Sequence, residues 1–433
     1  MKKILILFFL IITGFGNSFA QSPKAEYGAF ALTNTTVHTV TKGVMENTTV
    51  LVRDGKIEKI GKMDSFDADV KVIDCSNLHI YPGMIDGGTR IGLIEVSAVD
   101  RTVDFREIGN VIPHMEALTA VNPNSALIPV TRVSGVTTAL TVPSGGLFPG
   151  TAALINLHGY TPEQMSTGFS APVMNFPSSG KRGWWDKRSK EEIEKDTEKK
   201  MKELEEVWEK IAQYHKLDSV KAVGKTSVSM DYYPEMKALL PVYRKKVPLL
   251  IEVNSANDIK NALKWIKEKD IKAILTGVEE GHRVADEIAK ANVPVVVGPT
   301  LSTPSRDYDR YDRSYSNPAL LKKAGVKVAI RTMDAENVRN LPYNAGFAAA
   351  YGMSKEEALK AITIVPAEIF QVADKLGSIE EGKQATLFVS TGDPFETSTD
   401  VEHVFINGWK IPMVSRHTQL YEEFLKRSPG LEK

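Results

Sequence analysis

Tyr81-Pro82-Gly83-Met84-Ile85-Asp86-Gly87-Gly88-Thr89-Arg90-Ile91-Gly92 is the stretch on which the fold turns. It is a short apolar run that leads into a glycine-rich turn, and it divides two patterns of sequence. Before it, residues 26–80 alternate polar and apolar positions with no helix-period segment, the mark of short half-buried strands. Val50-Leu51-Val52 and Lys56-Ile57-Glu58-Lys59-Ile60 flank Asp54-Gly55, a strong hairpin signal, and Val70 to Asp74 adds another strand. After it, apolar runs alternate with amphipathic helical segments.

The runs that follow are Val136 to Val142, closed by Pro143-Ser144-Gly145-Gly146, then Ala152 to Leu157 and Pro172 to Phe176. Val247 to Val253, Ile271 to Leu275, Val293 to Val297 and Val326 to Ile330 have the continuous apolar character of strands covered on both faces. Helical segments such as Asp258 to Glu268 and Glu279 to Ala291 lie between them. Repeated strand–helix units of this length predict a parallel sheet with helices outside it, and eight such units close into a (β/α)8 barrel. After Ala367 the chain returns to strand-like alternation, in Gly382 to Val389 and Val401 to Gly408. The expected fold is therefore a TIM-type barrel over 81–370, plus a small β-sandwich built from 21–80 and 371–433. Lys187 to Lys216 is densely charged, with Ile193, Met201, Leu204, Trp208 and Ile211 at helical spacing. It reads as an amphipathic helical insertion lying over the barrel, or alternatively as a partner-binding helix.

Residues 1–20 have the pattern of a cleavable secretory signal: Lys2 and Lys3, an apolar run from Ile4 to Ile12, and Ser18-Phe19-Ala20 before Gln21. A periplasmic or secreted location is expected. No later run is long and apolar enough to predict a membrane span. The single cysteine, Cys75, excludes an internal disulfide framework, so an apolar core drawn from 42% hydrophobic residues must hold the fold. The formal charge is +0, and loss of Lys2 and Lys3 leaves it two units negative. That gives no electrostatic case for nucleic acid, which calls for a basic face. The partners left open are a small-molecule or peptide ligand, a second copy of the chain, or an active relative.

The opening stretch resembles the first barrel strand of the amidohydrolase superfamily, where Pro-Gly-Leu/Phe-Ile-Asp and one spacer precede His-x-His. The resemblance continues through Gly135-Val136-Thr137-Thr138 with Val142-Pro143-Ser144-Gly145, through Tyr351-Gly352-Met353-Ser354 and Ala361-Ile362-Thr363, and through Pro366-Ala367-Glu368-Ile369-Phe370. Leu376-Gly377-Ser378-Ile379 with Glu381-Gly382-Lys383 resembles the family's return from barrel to sandwich, and the imidazolonepropionase- and Xaa-Pro dipeptidase-like branch is the nearest in pattern. The resemblance implies hydrolysis of carbon–nitrogen bonds other than peptide bonds. Its cofactor is a divalent metal such as zinc, which activates water and polarises the scissile carbonyl.

The same resemblance puts Gly88 and Arg90 at the two His positions of strand one, Glu252 at the strand-five His, Thr276 at the strand-six His, and Met333 at the strand-eight Asp, with Asp334 one residue on. No Lys occurs from Thr151 to Gly180 to serve strand four. Of these only Glu252 and Asp334 are metal-ligating types, and a hydrolytic zinc needs three protein ligands. The expected cofactor is none. Two functional readings follow. In the first the chain is a pseudoenzyme that binds a ligand or assembles with a relative; in the second it is an active periplasmic hydrolase with a rebuilt metal site or with acid–base chemistry from Glu252 and Asp334. Arg90 and Glu252 are expected to pair at the barrel mouth, a permanent cation taking the metal's place, unless both swing to water. The remaining histidines are scattered, and only His114 and His158 lie in barrel loops that could approach the mouth.

Overall fold

The computed structural model describes residues 24–181, 186–222, 232–304 and 306–427. The expected signal segment, residues 1–20, lies outside the described residues.

Eight strands form the barrel sheet: β1 (Met84–Thr89), β2 (Val136–Thr141), β3 (Gly150–Asn156), β4 (Ser166–Asn175), β5 (Leu249–Val253), β6 (Ala273–Gly277), β7 (Val295–Val297) and β8 (Val328–Ile330), neighbours in that order. The ring is nearly closed. Just past β8, the Met333 amide donates to the Gly88 carbonyl at 2.8 Å, and the Arg90 amide donates to the Asp334 carbonyl at 3.0 Å. Ile85, Leu140, Ala152, Leu154, Ala171, Val173, Leu250, Ile274, Val296 and Ala329 fill the interior as one buried cluster. These come from alternate positions of the strands, as a pleated wall requires.

One expectation is corrected here. The sheet is not all parallel, because β3 runs antiparallel to both β2 (Thr138 opposite Asn156) and β4 (Ala171 opposite Ala152). A parallel crossover needs a dozen or more residues, usually a helix. Between β2 and β3 lie only residues 142–149, with Gly145 and Gly146 at φ +101° and +65°. That loop can only turn the chain back. The helical mass is displaced to the β4–β5 connection, which carries the charged helix Lys190–Ala222 and a second helix, Pro234–Tyr243. Leu204, Trp208 and Ile211 bury one face of the long helix in the barrel's outer core, so its charged face is the solvated side.

The terminal segments combine as expected. Leu387–Ser390 pairs antiparallel with His79–Pro82, which pairs in parallel with Ala29–His38, so strands from both ends of the chain share one nine-stranded sheet. Its core gathers Phe30, Leu32, Val50, Val52 and Ile57 with Leu387 and Phe405. Asp54 and Gly55 both take positive φ (50° and 77°), the hairpin geometry their pairing signals. Pro82-Gly83 is the joint between sheet and barrel. A β-carbon at Gly83 would strike the Thr137 side chain, so the strand can enter the barrel only with glycine at that point.

Candidate functional site at the barrel mouth

Leu250, Ile274 and Ala329 line the barrel interior, and two residues further along each strand stand Glu252, Thr276 and Arg331. The two-residue period of a strand aims all three into the mouth. Arg331 and Glu252 meet there as a two-pronged ion pair: Nη1 to Oε2 and Nη2 to Oε1, both 2.7 Å. The Arg331 Nε donates to the Gly298 carbonyl at 3.1 Å, and the Thr276 hydroxyl donates to Glu252 Oε2 at 2.7 Å. The arginine side chain is 4% exposed and the glutamate 23%, so the pair is roofed on one side and open to the cleft on the other.

Burial works against both charges, and each partner overcomes it for the other. Burial raises the Glu252 carboxyl, but the Arg331 charge and hydrogen bonds from Arg331, Thr276 and Asn254 bring it below the ordinary carboxylate range. Burial lowers the Arg331 guanidinium, and Glu252 more than restores it. Both stay ionised at neutral pH.

Space for Arg331 comes from Gly88. A β-carbon on Gly88 would lie 3.1 Å from the Arg331 Cδ, so any longer side chain there would compete with the arginine for one volume. Directly beneath, the fully buried Asp86 accepts from the Gly88 amide (2.9 Å), the Thr332 amide (3.2 Å) and the Thr332 hydroxyl (2.6 Å). Burial is the larger influence, and it lifts Asp86 to about 6 against those bonds and the attraction of Arg331.

The anticipated partnership of Arg90 with Glu252 does not form. Both Glu252 oxygens are taken by Arg331, while Arg90 lies past an irregularity in the β1–β2 pairing between Asp86 and Thr89. Its guanidinium carbon rests 4.2 Å above the Phe105 ring centre, a cation–π contact, and its Nε is buried without a hydrogen-bond partner. Burial and repulsion from Arg331 and Arg106 lower its pKa.

The remaining expected positions take structural roles. Met333 adopts a left-handed backbone (φ 50°) and closes the barrel through its amide. Asp334 sits at the mouth with its carboxylate spent: Oδ1 accepts the amides of Ala335, Glu336 and Asn337, and Oδ2 the Asn337 side chain. Burial raises it, but these donors bring it below the usual range, leaving a poor proton acceptor. At the end of β4 stands Asn175, bound to the Gly146 carbonyl at 2.8 Å. His158 packs on Trp409 of the terminal sheet, with ring centres 5.5 Å apart, away from the mouth.

Arg331 was the residue that sequence reasoning missed. Its signal was an arginine at an inward-facing position just after the all-apolar Val328-Ala329-Ile330, which demands a buried counter-charge.

The fit of a divalent metal can be tested on these side chains. Among the described residues no group of three or more His, Cys, Asp or Glu is disposed to hold one. At Glu252 both carboxylate oxygens face a guanidinium fork, which neutralises the ligand and would repel a second cation. The residues present do not fit a catalytic metal.

A barrel of this kind, joined to a sheet shared by both termini, is found in known proteins. The Amidohydrolase family model matches residues 131–410. The chain belongs to the amidohydrolase family. Among solved structures, an amidohydrolase from Thermotoga maritima MSB8 is 25% identical, with a TM-score of 0.76 over 88% of this chain and 99% of that one. A prolidase solved with N-methylphosphonate-L-proline (15% identity, TM-score 0.54, 88% of this chain and 99% of that one) shares the fold. So does molinate hydrolase (18%, 0.55, 90% and 95%). No curated protein matches the chain.

Proposed function

We propose that this amidohydrolase-family chain works without a metal, as a ligand-binding member in which the Arg331–Glu252 pair fills the place of a catalytic centre. The observation that carries the reading is the Arg331 fork on Glu252 in the volume left by Gly88. A fixed ion pair satisfies its own charges, so it neither lowers the pKa of water nor offers a free base. Asp334, the other carboxylate proposed for acid–base work, is bound up in its own loop. What persists is a shaped polar cleft above a rigid barrel, which suits recognition. The signal-like pattern of residues 1–20 supports a periplasmic or secreted location for this binding.

Metal analysis of the purified protein, with a screen of amides, lactams and dipeptides, tests the proposal. Substoichiometric metal and no turnover above buffer are expected. One bound zinc per chain, with hydrolysis abolished by a chelator, would overturn it in favour of an active hydrolase with a rebuilt site.

A further inference from the structure

A cavity of about 480 Å3 lies at the joint between the terminal sheet and the barrel, beside Tyr81, and shares no residue with the mouth. Val40, Val44 and Tyr81 wall it from the sheet, and Leu359, Pro394 and Phe395 wall it from the helix Lys355–Ala361 and the loop that follows Leu387–Ser390. The sheet wall is fixed in place. Val40 holds φ 74°, and the Thr39 hydroxyl clamps that turn by accepting from the Lys42 amide at 2.8 Å and donating to the Gly43 carbonyl at 2.7 Å. Every charged side chain of the lining is already paired: Lys355 with Asp393 at 2.7 Å, and Glu356 with Lys360 at 2.5 Å. The cavity therefore presents apolar walls and no unanswered charge.

The polar groups it does present are His38 and His79, both half-buried in the same lining. His38 Nε2 lies 3.1 Å from His79 Nδ1, so the two rings share one proton. In the uncharged pair, whichever ring donates that proton, the outer nitrogens (His38 Nδ1 and His79 Nε2) are left as one acceptor and one donor. Neither makes a hydrogen bond among the described residues. His38 stacks on Tyr81 with ring centres 4.1 Å apart and planes 10° from parallel, and Tyr81 stacks in turn on the buried Phe388 at 5.4 Å. That stack sets the plane of the pair. Burial and the His79 ring lower His38 to about 4 against the attraction of Asp393, which keeps its imidazole uncharged at neutral pH.

We propose that this cavity binds an uncharged phenol, its ring against the apolar walls and its hydroxyl on the His38–His79 pair. A hydroxyl can donate to the accepting outer nitrogen whichever ring carries it. A carboxylate would meet Asp393 and Glu356 and would need an imidazolium that burial disfavours. An ammonium would meet Lys355 and find both carboxylates taken. Tyr81 and Phe395 suit a flat aromatic ring, and an apolar cavity with a few placed polar groups at the junction of two packed units is the usual form of a small-molecule site. The site stands apart from the binding role proposed for the mouth, and either can fail without the other.

Calorimetric titration of the full chain at pH 8 with phenol, anisole, benzoate and benzylamine tests this. Phenol is expected to bind about fivefold more tightly than anisole, whose methyl ether cannot donate, the difference expected for one neutral hydrogen bond. Benzoate and benzylamine should bind more weakly than phenol. Proton–carbon NMR of the imidazole Cε1–H groups locates the site: the His38 and His79 signals, assigned by their loss in His38→Phe and His79→Phe, should move on adding phenol while those of the other histidines stay. The double variant should bind phenol and anisole alike; if it does not fold by circular dichroism, the two assigned signals of the parent still decide. No binding of phenol, anisole bound as tightly as phenol by the parent, discrimination retained in the folded double variant, or movement of other histidine signals in place of these two would overturn the proposal.

Discussion

Replacing Arg331 with methionine removes three hydrogen bonds, two to Glu252 and one to the Gly298 carbonyl, from a site where the arginine is 4% exposed. Glu252 then keeps only its neutral donors and an uncompensated charge. Breaking a buried pair by removing one partner costs about 3–5 kcal/mol, and the 23% exposure of Glu252 lets water in, so about 3 kcal/mol is expected. Glu252→Leu alone should cost a similar amount, because it strands the guanidinium instead. Arg331→Met with Glu252→Leu removes both charges and leaves apolar side chains in the same volume, and it should be close to the parent in stability. The two positions should therefore be coupled by at least about 2 kcal/mol. Urea unfolding at pH 7, followed by both tryptophan fluorescence and far-ultraviolet circular dichroism, measures all four proteins. A loss below about 1 kcal/mol for Arg331→Met, or a double variant as unstable as the sum of the singles, would refute the reasoning.

Three further outcomes are expected. The Asp86 carboxyl should titrate with a midpoint of about 6 by carbon-13 chemical shift; because burial raises its folded pKa above the unfolded value, ionising it destabilises the fold, by roughly 3 kcal/mol once the pH is well above 6. That cost is relieved as pH falls through 6, and in Arg331→Met the midpoint should move higher, because the arginine's attraction is gone. Glu252 has the opposite sign: its folded pKa lies below the unfolded one, so its contribution is full above the ordinary carboxylate range and is lost as pH falls through the depressed value. Acid unfolding of the parent should therefore contain a carboxylate step that Glu252→Leu lacks. Gly88→His should be destabilised by about 1–3 kcal/mol in urea through crowding of the Arg331 Cδ, and the same substitution should cost less when made in an Arg331→Gly background than in the parent, since the two side chains contend for one volume.

Much of the architecture was legible because its signals are local. Asp54-Gly55 needs the positive φ it adopts, Pro82-Gly83 marks the entry to the barrel, and the apolar runs ending at Val253 and Ile330 match β5 and β8. The reversal of β3 was also present in the sequence, in the brevity of residues 142–149, but periodicity does not carry direction. A run such as Ala152 to Leu157 has the same pattern whichever way it runs. The mouth was legible only as a set of positions. Gly88, Glu252 and Thr276 converge there, and Arg90, named with them, turns away to Phe105.

The sequence by itself determined the succession of apolar barrel runs, the Asp54-Gly55 hairpin and the entry of the chain into the barrel at Pro82-Gly83. Each follows from short-range constraints: side-chain period, turn geometry and residue chemistry. Only the tertiary structure decided which arginine answers Glu252. Arg90 and Arg331 carry the same charge and stand at strand ends that adjoin where the barrel closes, so composition and spacing cannot rank them. Arg331 follows the strict alternation of its strand into the barrel, while Arg90 lies beyond a break in its own. Ion pairing in a dry cleft depends on direction over a few ångströms, and that direction is set by the closed sheet as a whole.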